Sequence, residues 1–88
     1  MIIDSHCHLT YEPMYSSLKE TIIRANADGV KYLLTISTED KSFKKILNII
    51  ENFDCVFGSY GIHPHEAKKH LKIDSKEIIN KVKKNKKI

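Results

Sequence analysis

The sequence predicts an α/β fold made of three consecutive strand–helix units with parallel strands. Apolar, strand-like runs begin near residues 1, 30 and 55, and an amphipathic helical pattern follows each of them. The spacing of about 25 to 30 residues is typical of βα units in a parallel sheet with right-handed crossovers. The 88 residues allow one domain at most. A closed (β/α)8 barrel needs about 250 residues, so this chain alone is too short to form one.

The first unit opens with Met1–Asp4, an apolar run whose β-branched residues favour a buried strand. A loop around Pro13 follows. Ser16 or Ser17 is then expected to cap the first helix, because a side-chain oxygen at that position accepts a hydrogen bond from a free backbone N–H. Gly29 is expected to end this helix, since glycine adopts the left-handed conformation without steric cost.

The second strand is predicted over residues 30–36, which are mostly apolar without clean alternation, as in a strand buried on both faces. Ser37 or Thr38 is expected to cap the second helix. That helix has an apolar stripe at i, i+3, i+4 and i+7, formed by Phe43, Ile46, Leu47 and Ile50. A third strand is predicted over 56–60, and Asp74 is expected to cap the third helix.

The net charge of +4 is concentrated near the C-terminus. Five of the last eight residues are lysines: Lys81, Lys83, Lys84, Lys86 and Lys87. These lysines could contact nucleic acid, or they could be the solvated end of a helix whose dipole favours cations there. The two cysteines do not form a secreted disulfide framework, and no apolar run reaches about 18 residues. We therefore expect a cytoplasmic protein that does not enter a membrane.

The pair His6-x-His8 follows the first predicted strand. Side chains alternate between the faces of a strand, so Asp4, His6 and His8 are expected on one side and Cys7 on the other. Two neutral imidazoles at i and i+2 can converge on one divalent cation such as zinc. Asp4 is expected to orient an imidazole from the second coordination shell. Cys7 is expected to be a small buried apolar residue.

Two further interpretations concern the loops that follow the strands. Tyr11, in the loop after the histidine pair, either stacks on a nucleobase or packs on its own helix. Glu12 and Glu66 are the only carboxylates near the histidine motifs besides Asp4. Neither lies at a strand end, so both are interpreted as solvated loop residues and not as a general base.

Two motifs in this order resemble the TatD-type metal-dependent deoxyribonucleases, within the wider metal-dependent hydrolase group. Residues 3–9 (Ile-Asp-Ser-His-Cys-His-Leu) resemble the opening of that family, and residues 61–65 (Gly-Ile-His-Pro-His) resemble its second motif at about the right distance. The resemblance covers the whole of this chain, which corresponds to only about the first third of a family member. It implies that residues 1–88 are the N-terminal part of a (β/α)8 barrel, which three βα units leave unclosed.

The resemblance also implies a function, which is the hydrolysis of phosphodiester bonds in DNA with the help of a divalent metal ion (Mg, Zn or Mn). It matches His6 and His8 with metal ligands, and His63 and His65 with residues at the mouth of the site that contact substrate. The other ligands of the family are a glutamate, two further histidines and an aspartate. The glutamate is expected a few residues beyond Ile88, and no catalytic residue is identified in this chain.

Three interpretations follow for the chain itself. It is a truncated or split family member, inactive alone, whose barrel could be completed by a second polypeptide. It is alternatively a non-catalytic remnant, or a small module that binds nucleic acid through the lysine-rich end. Whether it acts as an enzyme by itself stays open at this level.

Overall fold

The computed structural model describes residues 1–88 and shows three strands alternating with three α-helices. In chain order these are β1 (Ile2–Cys7), α1 (Leu18–Ala27), β2 (Val30–Thr35), α2 (Asp40–Asn52), β3 (Val56–Gly58) and α3 (Ser75–Lys83). Short 3₁₀ segments at Tyr15–Ser17 and Pro64–His70 precede α1 and α3. The strands form one parallel sheet in the order β1-β2-β3. The predicted α/β class and the βαβαβα order are therefore confirmed.

Strand β1 is longer than predicted, and β3 is shorter. β1 continues through the polar residues after Asp4, and its last residue, Cys7, pairs with Thr35 of β2. The backbone carbonyl of Cys7 also accepts a hydrogen bond from the N–H of Ile36 at 2.9 Å. Backbone pairing with β2 does not depend on apolar side chains, so the strand extends to the histidine motif. β3 ends at Gly58, two residues earlier than predicted.

The hydrophobic core lies between helices α1 and α2 and one face of the sheet. Its buried members are Leu9, Ile22, Leu33, Ile46, Ile49, Ile50 and Val56. The predicted stripe on α2 is confirmed, because Phe43, Ile46 and Ile50 are buried and Leu47 packs against the core. Removing such side chains from water stabilises the fold by about 1.5 to 3 kcal/mol each.

The opposite face of the sheet is open. Ile3 pairs with Tyr32 across β1 and β2, and the Tyr32 ring meets the edge of Phe57 on β3 with centroids 6.0 Å apart. The exposed fractions of these three residues are 58%, 36% and 37%. The prediction that β2 is buried on both faces is therefore wrong. An uncovered apolar sheet face is what an unclosed set of βα units leaves behind.

The predicted end of α1 and the predicted start of α3 are confirmed, but the predicted cap of α1 is not. Gly29 has a φ of +94°, in the left-handed region that glycine adopts freely. The Asp74 carboxylate accepts a hydrogen bond from the Glu77 N–H at 2.9 Å, as a cap should. Ser17 stands at the N-cap of α1 but does not cap it, because its hydroxyl donates to the carbonyl of Pro13.

The cap of α2 differs from the prediction. Glu39 is the N-cap residue, and the Ser42 hydroxyl accepts hydrogen bonds from the backbone N–H groups of Glu39 and Thr38 at 3.1 and 3.0 Å. Ser37 and Thr38 are instead buried beneath the start of the helix. They immediately precede the N-cap residue and belong to the connection between β2 and α2.

Two lysines of the lysine-rich end make contacts within the protein. Lys87 Nζ donates to the carbonyls of Ile50 and Phe53 at 2.7 and 2.9 Å, at the C-terminal end of α2. Lys81 Nζ pairs with the Asp40 carboxylate, which holds the pKa of Asp40 below its usual value. These contacts do not favour a tail dedicated to nucleic acid. No helix here is both long and apolar enough to cross a bilayer; the cytoplasmic location stays a prediction.

Candidate metal centre

The two histidines of the first motif lie at the C-terminal edge of the parallel sheet. His6 is the second-last residue of β1, and His8 follows the strand directly. Their ring centroids are 5.1 Å apart, with the rings edge to face at 73°. His6 is exposed and His8 is half-buried. The structure thus brings the two imidazoles together at the edge of the sheet where parallel α/β folds bind their ligands.

Asp4 supports the motif in a different way from the one expected. Its carboxylate accepts a hydrogen bond from the backbone N–H of His6 at 3.1 Å. The expectation that it orients an imidazole ring is therefore wrong. Asp4 instead fixes the backbone conformation that presents the side chain of His6.

The ring of His8 is held by stacking, without a hydrogen bond. Its Nδ1 is shielded from solvent and has no hydrogen-bond partner. The Tyr11 ring lies nearly parallel to it, with centroids 5.0 Å apart and an angle of 17° between the planes. A buried polar atom left unpaired costs about 1 to 3 kcal/mol. His8 therefore has a ring nitrogen whose bonding capacity this chain does not satisfy.

Cys7 is half-buried, as predicted for a small apolar residue. Its side chain packs against the core, and its Sγ donates a hydrogen bond to the carbonyl of Leu34 at 3.4 Å. Burial and the nearby Asp4 charge raise the pKa of the Cys7 thiol to about 11. Cys7 is a core residue.

His63 and His65 lie in the loop and 3₁₀ segment after β3, and both are exposed. The His63 Nδ1 accepts a hydrogen bond from the His65 N–H at 3.1 Å, and the ring centroids are 4.6 Å apart. In a neutral imidazole whose Nδ1 accepts a hydrogen bond, Nε2 carries the hydrogen. His63 therefore presents an N–H donor to solvent.

A contact that the sequence did not reveal joins the two histidine motifs. The His63 N–H donates to the carbonyl of Thr38 at 2.7 Å, and the Tyr11 hydroxyl lies 3.4 Å from the Thr38 Oγ1. Tyr11 in turn stacks on His8. Its stacking partner within this chain is thus His8, and stacking on a nucleobase stays a prediction. The available signal was its spacing three residues after His8, which suits a turn.

No group of three or more His, Cys, Asp or Glu side chains converges to hold a metal ion. The Glu12 carboxylate accepts hydrogen bonds from the N–H and hydroxyl of Ser16, and Glu66 pairs with Lys69 at 3.1 Å. Both carboxylates have local partners, which agrees with their interpretation as loop residues. Within this chain, His6 and His8 thus form a pair on which no third potential metal ligand converges.

Comparisons with known proteins identify the family. Residues 3–88 match the family model for TatD related DNase, so the chain belongs to this family. It is 28% identical over 86% of its length to the uncharacterized metal-dependent hydrolase YjjV of Escherichia coli, and 32% identical over 82% to BU355 of Buchnera aphidicola, which has the same description. It is also 30% identical over 70% of its length to a putative deoxyribonuclease, tatdn3, of Danio rerio.

The fold comparison agrees with the sequence comparisons. The crystal structure of YjjV, a TatD homologue from Escherichia coli, superposes with a TM-score of 0.71 and 25% identity over 94% of this chain. The match covers 30% of the YjjV chain, and this chain covers 29%, 28% and 24% of the three curated relatives. The chain therefore spans less than a third of the length of the proteins that it resembles. Its three βα units correspond to the N-terminal part of a TatD barrel.

Proposed function

We propose that His6 and His8 jointly bind one divalent cation, and that this pair is the chain's contribution to a metal-dependent hydrolase site. The observation behind this proposal is the pairing of the two imidazoles, 5.1 Å apart at the C-terminal edge of β1. The unpartnered Nδ1 of His8 supports it, because a metal site needs nitrogens that are not already occupied. Relatives described as metal-dependent hydrolases support the same function.

The donor set indicates the class of cation. Neutral imidazoles suit zinc and other first-row transition metals better than magnesium, which prefers oxygen ligands. A bound cation of this kind lowers the pKa of a coordinated water and stabilises the charge that develops on a phosphodiester. The chain's own part is to hold two imidazoles in place, since Asp4 fixes the backbone of His6.

The proposed substrate is a phosphodiester of DNA, which the relative named putative deoxyribonuclease supports. We assign substrate contact to His63 and His65. The free N–H of His63 is a donor for a phosphate oxygen, and both rings are exposed. Thr38 anchors the His63 backbone to the same loop that Tyr11 contacts, so this donor and the histidine pair share one framework.

The remaining ligands would come from further βα units outside this chain. Zinc usually has four ligands, and His6 and His8 provide two. Additional strands would hydrogen-bond along the free edges of β1 and β3, and the open sheet face would then line the interior of the barrel. Residues 1–88 are then a partial hydrolase domain, completed by a second polypeptide or by the rest of a longer one.

Zinc binding tests the metal site directly. Isothermal titration at pH 7.5 is expected to show one zinc ion per wild-type chain and at least tenfold weaker binding in both His6→Ala and His8→Ala. His70→Ala is the matched control, because the His70 ring already bonds to the Glu66 carbonyl and is expected to leave binding unchanged. Equal affinity in all four proteins would contradict the assignment.

Complementation tests the hydrolase. The chain is refolded together with a polypeptide that carries the remaining βα units, and single-stranded DNA is offered with zinc, manganese or magnesium. Hydrolysis that needs both polypeptides and disappears in His6→Ala supports the proposal. If the two polypeptides form a folded complex that takes up metal but leaves DNA intact, the proposed substrate is wrong.

A further inference from the structure

We infer that Tyr11 is a positioning residue that holds the plane of the His8 imidazole. This inference rests on the proposed metal site and adds a residue to it. Metal-binding histidines normally have an outer partner that fixes the ring, most often a carboxylate or carbonyl bonded to the second nitrogen. His8 lacks one, because neither nitrogen of its ring has a hydrogen-bond partner and the Asp4 carboxylate bonds to the His6 backbone.

A local turn places Tyr11 beside His8. The carbonyl of His8 accepts a hydrogen bond from the Tyr11 N–H at 3.3 Å, so the chain reverses over residues 8–11. The two residues between, Leu9 and Thr10, are buried and anchor the turn. The rings of His8 and Tyr11 meet nearly parallel, with a centroid separation within the range of favourable stacking.

Tyr11 is held at its far end as well. Its hydroxyl lies 3.4 Å from the Thr38 Oγ1, a long and therefore weak hydrogen bond. Thr38 itself is buried, and its N–H donates to Ser42 Oγ at 3.0 Å. The stack is thus the main contact, and the hydroxyl adds a small restraint. Limiting the rotation of His8 before binding lowers the ordering cost that a metal must otherwise meet.

Two variants of Tyr11 separate the stack from the hydroxyl. Tyr11→Phe keeps the ring and loses the contact with Thr38, and Tyr11→Leu loses the ring. Tyr32→Leu is the control, because Tyr32 is similarly exposed and lies on the open face of the sheet. Far-UV circular dichroism and urea unfolding establish that each variant is folded before the other measurements.

Two readouts are used, nuclear magnetic resonance of the His8 ring protons without metal and zinc affinity by calorimetry. Tyr11→Leu is expected to abolish the ring-current shift of His8 and to weaken zinc binding about tenfold, as loss of an outer-shell partner does. Tyr11→Phe is expected to preserve the shift and to change affinity by less than about threefold, since the hydroxyl contact is weak. Tyr32→Leu should match the wild type in both.

The inference is overturned if Tyr11→Leu leaves the His8 ring shifts unchanged, or if it removes them while zinc affinity stays at the wild-type value. A failure of the metal site itself looks different, because the wild type would then bind no zinc. In that case the role toward the metal is refuted together with the proposed site, and the ring shifts alone decide whether Tyr11 orders His8.

Discussion

Gly58, at the end of β3, is the position where the packing of this fold is most sensitive to one added methyl group. A Cβ built at residue 58 overlaps the Ile46 Cγ2 and lies 2.9 Å from the Ile88 Cδ1. Ile46 is completely buried in α2, and a β-branched side chain in a helix has one strongly preferred χ1 rotamer, so its Cγ2 cannot move aside without strain. Alanine at this position therefore forces α2 away from the sheet. Gly58→Ala is expected to lower the free energy of unfolding by about 1 to 3 kcal/mol, the usual cost of overpacking.

The matched control is Gly61→Ala. No atom lies within 4 Å of a Cβ built at residue 61, and Gly29 alone among the glycines has a positive φ. Gly61→Ala is expected to leave stability unchanged or to raise it by about 0.4 to 1 kcal/mol through the unfolded chain. Urea unfolding followed by far-UV circular dichroism measures both, with equal slopes showing that the unfolded states are comparable.

A double variant identifies the cause. Ile46→Ala alone is expected to cost about 2 to 5 kcal/mol, because it leaves a cavity. In Ile46→Ala/Gly58→Ala the new methyl fills part of that cavity, so the combined loss should be smaller than the sum by more than about 0.5 kcal/mol. Additive losses, or a Gly58→Ala chain as stable as Gly61→Ala, would refute the proposed packing of α2 on β3.

Two other predictions concern the end of α2 and the buried thiol. Lys87→Met is expected to lower the free energy of unfolding in urea by about 1 kcal/mol, because the Lys87 ammonium donates to two carbonyls at the C-terminal end of α2. The control Lys86→Met should lower it by less than about 0.5 kcal/mol. Equal losses in the two variants would show that the Lys87 contact is not stabilising. In a Cys55→Ser background, Cys7 is expected to react with iodoacetamide more slowly than a free thiol at pH 9, because its pKa is raised to about 11, and to react normally in urea. As the pH rises, the Cys7 thiol loses its proton in the unfolded chain before it does so in the folded chain. The free energy of unfolding is therefore expected to fall between pH 9 and pH 11. The same decline in a Cys7→Ala chain would contradict this.

The order of strands and helices could be predicted from the sequence because each unit has its own local signals. Gly29 ends α1 through its backbone freedom, and Asp74 begins α3 through its carboxylate. The length of β1 could not be predicted this way. Its polar half is strand because β2 pairs with it, and pairing is a property of two segments, not one.

The prediction that β2 is buried on both faces was wrong for a similar reason, since Tyr32 on this strand is exposed. An apolar strand in a parallel sheet is usually covered on both faces, and nothing in the sequence says which face is left open here. The predicted N-cap of α2 was wrong by one or two residues, because Glu39 is the N-cap and the Ser42 hydroxyl, one turn later, accepts from the backbone N–H groups of Thr38 and Glu39.

The candidate site was predicted in part. The His6-x-His8 pair is evident from spacing, and the structure places the two rings together at the strand end. The roles of Asp4 and Tyr11 were not evident. Both depend on side-chain directions in a turn, which a sequence pattern does not specify: the Asp4 carboxylate bonds to backbone, and the Tyr11 ring stacks on His8.

The central claim is that His6 and His8 hold one metal ion between them. Anomalous diffraction at the zinc edge, from crystals of the chain grown with zinc, tests it most directly. The expected result is one strong peak about 2.0 to 2.1 Å from a ring nitrogen of each histidine. Peaks only at His63, His65 or His70, or none bound to the first pair, would contradict the claim.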